Sequence, residues 1–247
     1  MCCFSRPVER VADTNIFARS ARKNRQYLVY SMRISTKDDL AMILPLPTPP
    51  NSPEDAVRFI NLEKYPEFFT DLAKGFPAPV ALGAGRAQKS PPKPQAPLAV
   101  VEVGSFIASF VPTVRDFSRL DERFRLPAQV WDALPQYKNA GFAVFQLKKG
   151  EKAIHPMAFE FPRMDPRKLF FPTVHIHDGK LHATADFDHW LYCQPSEGQA
   201  LADWNESAQP AELFMNKIDK AGGVIAPTEH VYRRRLSGML RNADTYI

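Results

Sequence analysis

The sequence predicts an α+β protein: a largely antiparallel sheet, separate helices and a long Pro/Ala/Gly-rich loop. Three observations carry that prediction. Several runs alternate apolar and polar side chains with the period of two that a half-buried strand requires, residues 26–34 and 141–148 most plainly. Asp178-Gly179 sits between alternating apolar residues, the pattern of a two-residue type I′ hairpin. The runs with helical spacing stand apart from the strand runs instead of alternating with them, which argues against a parallel doubly wound sheet. With 247 residues, 45% of them hydrophobic and 18 of them Phe, the chain can bury a sizeable core as a single domain over residues 1–247.

Taken in order, the segment 8–19 is of mixed character. In 26–34, Tyr27, Val29 and Ser31 oppose Leu28, Tyr30 and Met32. Residues 40–46 are a short apolar run stopped by prolines, hence a strand leading into an extended Pro-Thr-Pro-Pro segment. At 51–55, Ser52 as cap, Pro53 at the first helical position and two acids mark a helix start, with Val57, Ile60 and Leu62 as its apolar side. A second short helix covers 66–74 and stops at Gly75. Residues 77–97 hold Ala, Gly, Pro, Lys and Gln with little to bury, and read as a disordered loop. Strand character returns at 98–111 with a turn at Gly104-Ser105, and then come helices over 114–124 and 127–134. Strands are expected at 141–148, 157–161, 169–177 and 180–184. Residues 200–204, 211–220 and 229–240 read as helices. No internal repeat is visible.

The net charge of +5 is spread along the chain, with its densest run at Arg233-Arg234-Arg235. Such a run is most often a solvated face, so no nucleic-acid partner is expected. No segment approaches the ~20 apolar residues of a membrane span, and the first residues lack the apolar core of a signal peptide. The expectation is a cytoplasmic protein with no membrane association. Three cysteines, Cys2, Cys3 and Cys193, give no even disulfide framework and suit a reducing compartment. Glycine-rich phosphate loops, a G-x-S-x-G elbow and zinc-ribbon spacing are all missing.

The stretch from Val174 to His182 points most directly at chemistry. It contains three of the six histidines. With Asp178-Gly179 as the turn, His175 and His177 share one strand face and His182 lies across from His175, Cβ atoms about 5 Å apart. Three imidazoles from two adjacent strands can hold a zinc, iron or copper ion with open positions. The same pattern also suits a solvated or hydrogen-bonded histidine cluster. Asp186 and Asp188 share parity with His182, either as carboxylates supporting or ligating the ion or as a surface turn, whereas His189 has the opposite parity. A second candidate is Cys2. Removal of Met1 would leave its thiol beside its own amine, the arrangement of N-terminal nucleophile hydrolases. Cys2-Cys3 can alternatively bind metal, with Cys193 as a third ligand or a small buried hydrophobe.

Several short phrases together resemble an uncharacterised bacterial family, a domain of unknown function. They are the cysteine-containing N-terminus, the Leu-Ala-Met-Ile-Leu-Pro-Leu-Pro run at 40–47, the Tyr-to-Phe strand at 137–142, the Pro-to-Phe strand at 156–161 and Phe171-Pro172. The resemblance spans about residues 2–181 and implies an order of elements, with no activity attached. The leading functional expectation is a metal-binding protein or mononuclear metalloenzyme with His175, His177 and His182 as ligands, acting on an unspecified small molecule. The alternatives are an N-terminal cysteine hydrolase using Cys2 and a non-catalytic protein-interaction module.

Overall fold

Among the described residues β-strands are the dominant regular structure. The computed structural model describes residues 2–76, 101–103, 106–126, 128–153, 155–177, 180–196 and 201–247. In chain order the elements begin with β1 (Cys2–Phe4), β2 (Arg10–Ala21), β3 (Arg25–Thr36), β4 (Leu40–Leu46), β5 (Arg58–Asn61) and α1 (Phe68–Lys74). Next come β6 (Val101–Val103), β7 (Phe106–Val111), α2 (Ala128–Asp132), β8 (Gly141–Leu147), β9 (Gly150–Ala153) and β10 (Met157–Pro162). The last part holds β11 (Phe170–Phe171), β12 (His175–Ile176), β13 (Thr184–Gln194), β14 (Asn205–Glu206), β15 (Tyr232–Arg241) and β16 (Thr245–Tyr246). The α+β expectation is therefore overturned: among the described residues the α-helices are one of seven residues and one of five, beside short 3₁₀ turns, and the fold is β-rich. The loop expected at 77–97 lies outside the described residues, as do the turns expected at Gly104-Ser105 and Asp178-Gly179.

Two sheets carry the structure. One has six strands in the order β12-β1-β4-β8-β7-β6; the other runs β14-β15-β13-β2-β3-β10-β5, with β9 also paired to β3. Pairing is antiparallel except for β1 with β12 and β2 with β13. The sheets share a core in which Phe4, Met42, Leu44 and Phe145 meet Ile16, Leu28, Tyr30, Phe159 and Leu191. Each sheet is covered on its outer side as well. Phe117, Trp131 and Leu134 lie with Ile43, Phe142 and Val144 of the first sheet, and Phe68 and Leu72 of α1 lie with Phe17, Val29 and Tyr192 of the second. A strand buried on both faces has no polar side to alternate with. That is why residues 40–46 form an unbroken apolar run and are buried at every position.

Local chemistry explains the joints. β2 and β3 are linked by a turn closed by Arg25 N donating to Arg22 O at 3.3 Å, with Lys23 and Asn24 both at φ +57°. Two positive φ values are the type I′ pattern, whose twist matches the flanking strands. Asp13, at φ +54°, marks the register shift between Ala12 and Asn15, where β2 bulges. Ser52 does not cap a helix: its hydroxyl donates to Pro49 O at 2.7 Å, and residues 58–61 continue as β5. The helix expected over 229–240 is instead the ten-residue strand β15, antiparallel to β13.

Candidate functional site

The three histidines of the sequence motif do not come together as a set. β12 is only two residues long and pairs in parallel with β1, Cys2 beside His175 and Cys3 beside Ile176. His182 belongs to no strand and β13 begins at Thr184, so the expected pairing of His175 with His182 is absent. His182 is exposed and its carbonyl accepts from Asn242 Nδ2 at 3.0 Å.

A different histidine completes the cluster. Strand parity places Ile176 in the outer core with Cys3 and turns His175 and His177 toward the space between the sheets, where Phe4 lies 5.7 Å from the His177 ring. From the second sheet β13 sends Phe187 and His189 into the same space. His175 stacks on His177 at 5.1 Å and on His189 at 4.7 Å between ring centroids, with Phe187 at 4.5 Å. The Nε2 atoms of His175 and His189 are 2.9 Å apart, so one ring donates and the other accepts. Such a bond needs at least one neutral imidazole. Burial holds His175 down to about 2, helped by the charges of His189, His177 and the N-terminal amine. Burial likewise holds His189 down to about 3. Both rings are therefore neutral at any physiological pH. Among the described residues no group of three His, Cys, Asp or Glu side chains is disposed to hold one metal ion. Alternation in β13 carried the signal for His189: Phe187, His189 and Leu191 are buried, while Asp186 and Asp188 are exposed. The two acids thus lie in a strand and not in a turn. Cys3 and Cys193 are buried, and burial pushes the Cys193 thiol up.

The larger feature lies on the other side of β12. Val174, His182, Arg241, Asn242, Asp244 and Tyr137 line a cleft of about 850 Å³, within the range of ligand sites. Three large apolar side chains open onto it although they are well exposed: Met164 (58%), Leu181 (37%) and Tyr246 (49%). Its wall is held by Asp244. One carboxylate oxygen accepts from the Thr173 and Val174 amides at 2.9 and 3.1 Å, and the other accepts from the Tyr137 hydroxyl. Burial first, and the Asp244 charge second, push the Tyr137 phenol far above its ordinary range, so it stays a donor. Asn242 joins cleft and histidine cluster: its side chain accepts from His175 N at 2.7 Å and donates to His175 O at 2.9 Å. Sequence reasoning missed this cleft because its residues come from separate segments, 47–48, 136–140, 164–183 and 241–246, with no motif among them.

No protein family and no curated protein matches the chain. Solved structures of baculovirus P35 align with most of the chain. The crystal structure of baculovirus P35 aligns at 12% identity over 96% of each chain, with a TM-score of 0.49. A mutated baculovirus P35 after caspase cleavage aligns at 14% identity over 95% of this chain and 99% of that one, TM-score 0.47. The caspase-8/P35 complex gives 12% identity, 95% of each chain and a TM-score of 0.48. Among the described residues no helix is long and apolar enough to cross a membrane.

Proposed function

We propose that this chain is a non-catalytic protein-interaction module that receives an extended segment of a partner protein in the cleft beside β12. The observation that carries this is the convergence of exposed Met164, Leu181 and Tyr246 on a single cleft of about 850 Å³. Exposed apolar side chains gathered at one concave site mark interaction surfaces, whereas the same side chains scattered singly would need no explanation. Arg241 in the lining favours a partner with an acidic side chain next to its apolar one.

The test is selection of peptides from a displayed library on the wild-type chain, then direct binding to Leu181→Asp and Tyr246→Ala variants. Selected peptides should lose about tenfold or more in affinity to either variant, the effect of about 1.4 kcal/mol. Pure caspase-8, the protein bound in the caspase-8/P35 complex, enters the same assay as one defined partner; the proposal rests on the cleft and not on that likeness. Peptides that bind both variants as well as wild type, or a failure of every peptide and of caspase-8 to bind, overturn it.

One observation favours a second reading. The backbone of Cys2 is in register with His175, which forms a neutral imidazole pair with His189. With Met1 removed, Cys2 would pass its thiol proton to its own α-amine, attack the carbonyl of a peptide ester, keep the acyl group as a thioester and release the alcohol, which takes up that proton. Intact mass after incubation with a peptide ester would show that adduct on wild type and none on Cys2→Ser.

A further inference from the structure

β15 is the last long strand of its sheet, and among the described residues only its beginning is covered on the side away from β13. β14 pairs with Tyr232 and Arg233, and Ser207 N donates to Val231 O at 2.8 Å. Main-chain groups alternate sides along an antiparallel strand. The outward carbonyl of Val231 therefore fixes the sense of the later positions: Arg233, Arg235, Ser237 and Met239 turn their N–H and C=O groups away from β13. The register with β13 is unbroken from Tyr232 to Arg241, even through Gly238 at φ +82°, so this alternation carries along the whole strand. Beyond Arg233 no strand pairs with this edge among the described residues. Residues 237–241 are exposed, as is Arg235, and Met239 is exposed to 67%. An edge of this kind is a template for another strand.

The charge at the edge selects the occupant. Arg235 lies 5.3 Å above the Trp190 ring and 3.3 Å from Asp188. Arg233 sits between the rings of Phe76 and Trp190, at 4.4 and 4.5 Å, so both guanidinium groups are held in place along the outer face. Arg234 and Arg241 add two more positive charges to the same ten residues. A second copy of this chain fits poorly. Over the open part of the edge, antiparallel self-pairing centred on Ser237 would set Arg235 against Met239, bringing two arginine-rich strands together with no strand carboxylate to meet them. An acidic strand places its carboxylates opposite and diagonal to fixed arginines.

We propose that the outer edge of β15, from Arg235 to Met239, takes up an extended acidic segment of a partner protein as an added strand. Arg235, Ser237 and Met239 each offer one donor and one acceptor to it, and Arg233 and Arg235 read its carboxylates. This edge adjoins the cleft, which Arg241 also lines, but its open backbone groups lie outside the cleft and the proposal does not rest on it.

The probe is a short labelled peptide in which glutamate and valine alternate, titrated against the full chain by fluorescence anisotropy. Binding is expected, weakened by added salt, and absent for the same peptide with lysine in place of glutamate. Ser237→Pro removes one outward N–H and leaves the β13 ladder intact; it should weaken binding about tenfold, the loss of a single well-made hydrogen bond. Arg235→Glu changes no backbone group and should weaken binding at least as much, so it decides the matter if the proline variant does not fold. Equal binding of the lysine peptide, or unchanged binding to Arg235→Glu, overturns the proposal. So does a concentration-dependent dimer in sedimentation that Ser237→Pro abolishes, which would make a second copy the occupant.

Discussion

Replacing Asp244 by alanine is expected to destabilise the fold by about 2–3 kcal/mol, because one carboxylate organises three donors from two distant segments. Its oxygens accept from Thr173 N at 2.9 Å, Val174 N at 3.1 Å and the Tyr137 hydroxyl. Hydrogen bonds to a charged group contribute about 1.5–3 kcal/mol each when buried. Asp244 is half-buried and borders an open cleft, so water recovers part of each; about 1 kcal/mol per bond is the appropriate figure. Thr173 and Val174 are themselves buried, at 0% and 2% exposure, which keeps the loss from vanishing. For a chain of this size about 1 kcal/mol corresponds to roughly 2–4 °C, so thermal unfolding should shift by about 5–10 °C. Asp244→Asn keeps an acceptor for the two amides and should cost about half as much. A double-mutant cycle with Tyr137→Phe should show coupling of about 1 kcal/mol, since the two groups share a hydrogen bond. Equal melting of wild type and Asp244→Ala, or additive effects of Asp244→Ala and Tyr137→Phe, would refute this account of the cleft wall.

Three further predictions test other parts of the molecule. A Cβ on Gly141 would come within 2.5 Å of the Phe110 ring and 2.8 Å of Thr48 Oγ1, so Gly141→Ala should lose about 1–3 kcal/mol by overpacking in urea unfolding; a neutral outcome would mean the Phe110 ring swings aside freely. Glu160, its side chain 12% exposed, accepts from Arg25 at 2.9 Å and from Arg58 at 2.6 Å, and Glu160→Ala should cost about 2 kcal/mol, while Glu54→Ala, which breaks an exposed pair with Arg119, should be hard to detect; equal losses would contradict the role given to burial. His175 and His189 sit at about 2 and about 3 in the fold but near 6.5 when unfolded, so the unfolded chain binds more protons below pH 6.5. Their contribution to stability is complete above that pH and is lost as pH falls toward 3, and the variant with Phe at both positions should show a flatter acid limb in unfolding followed against pH.

What the sequence reveals here depends on how local the cause is. The alternation of 26–34 and 141–147 is local, and both segments are strands, β3 and β8. Apolar Phe68, Phe69 and Leu72 set out α1 in the same way. β15 reads as a helix in sequence because Tyr232, Leu236 and Leu240 recur every four residues and Arg and Leu are good helix formers. Tyr232 and Leu236 also share parity, and pairing with β13 decides between the two periods. The histidine cluster is half legible. His175 and His177 follow from strand parity alone, but His189 reaches them from the other sheet, and no spacing rule could bring it there. The cleft is not legible at all, since its apolar rim comes from Met164, Leu181 and Tyr246, isolated in sequence and unremarkable singly.

The parallel pairing of β2 with β13 sets a timetable for synthesis. β2 can turn back onto β3 as soon as both leave the ribosome, but Thr14 meets its partner His189 only about 175 residues later. At roughly 5–20 residues per second, that interval is on the order of ten seconds or more. Throughout it the β2–β3 hairpin carries Ile16, Phe17, Leu28 and Val29, all destined for full burial, beside an open edge. A nascent chain of this protein therefore depends on holdase chaperones in proportion to how slowly its second half is translated, and slow translation of residues 40–190 should cost it soluble yield while leaving the finished protein unchanged.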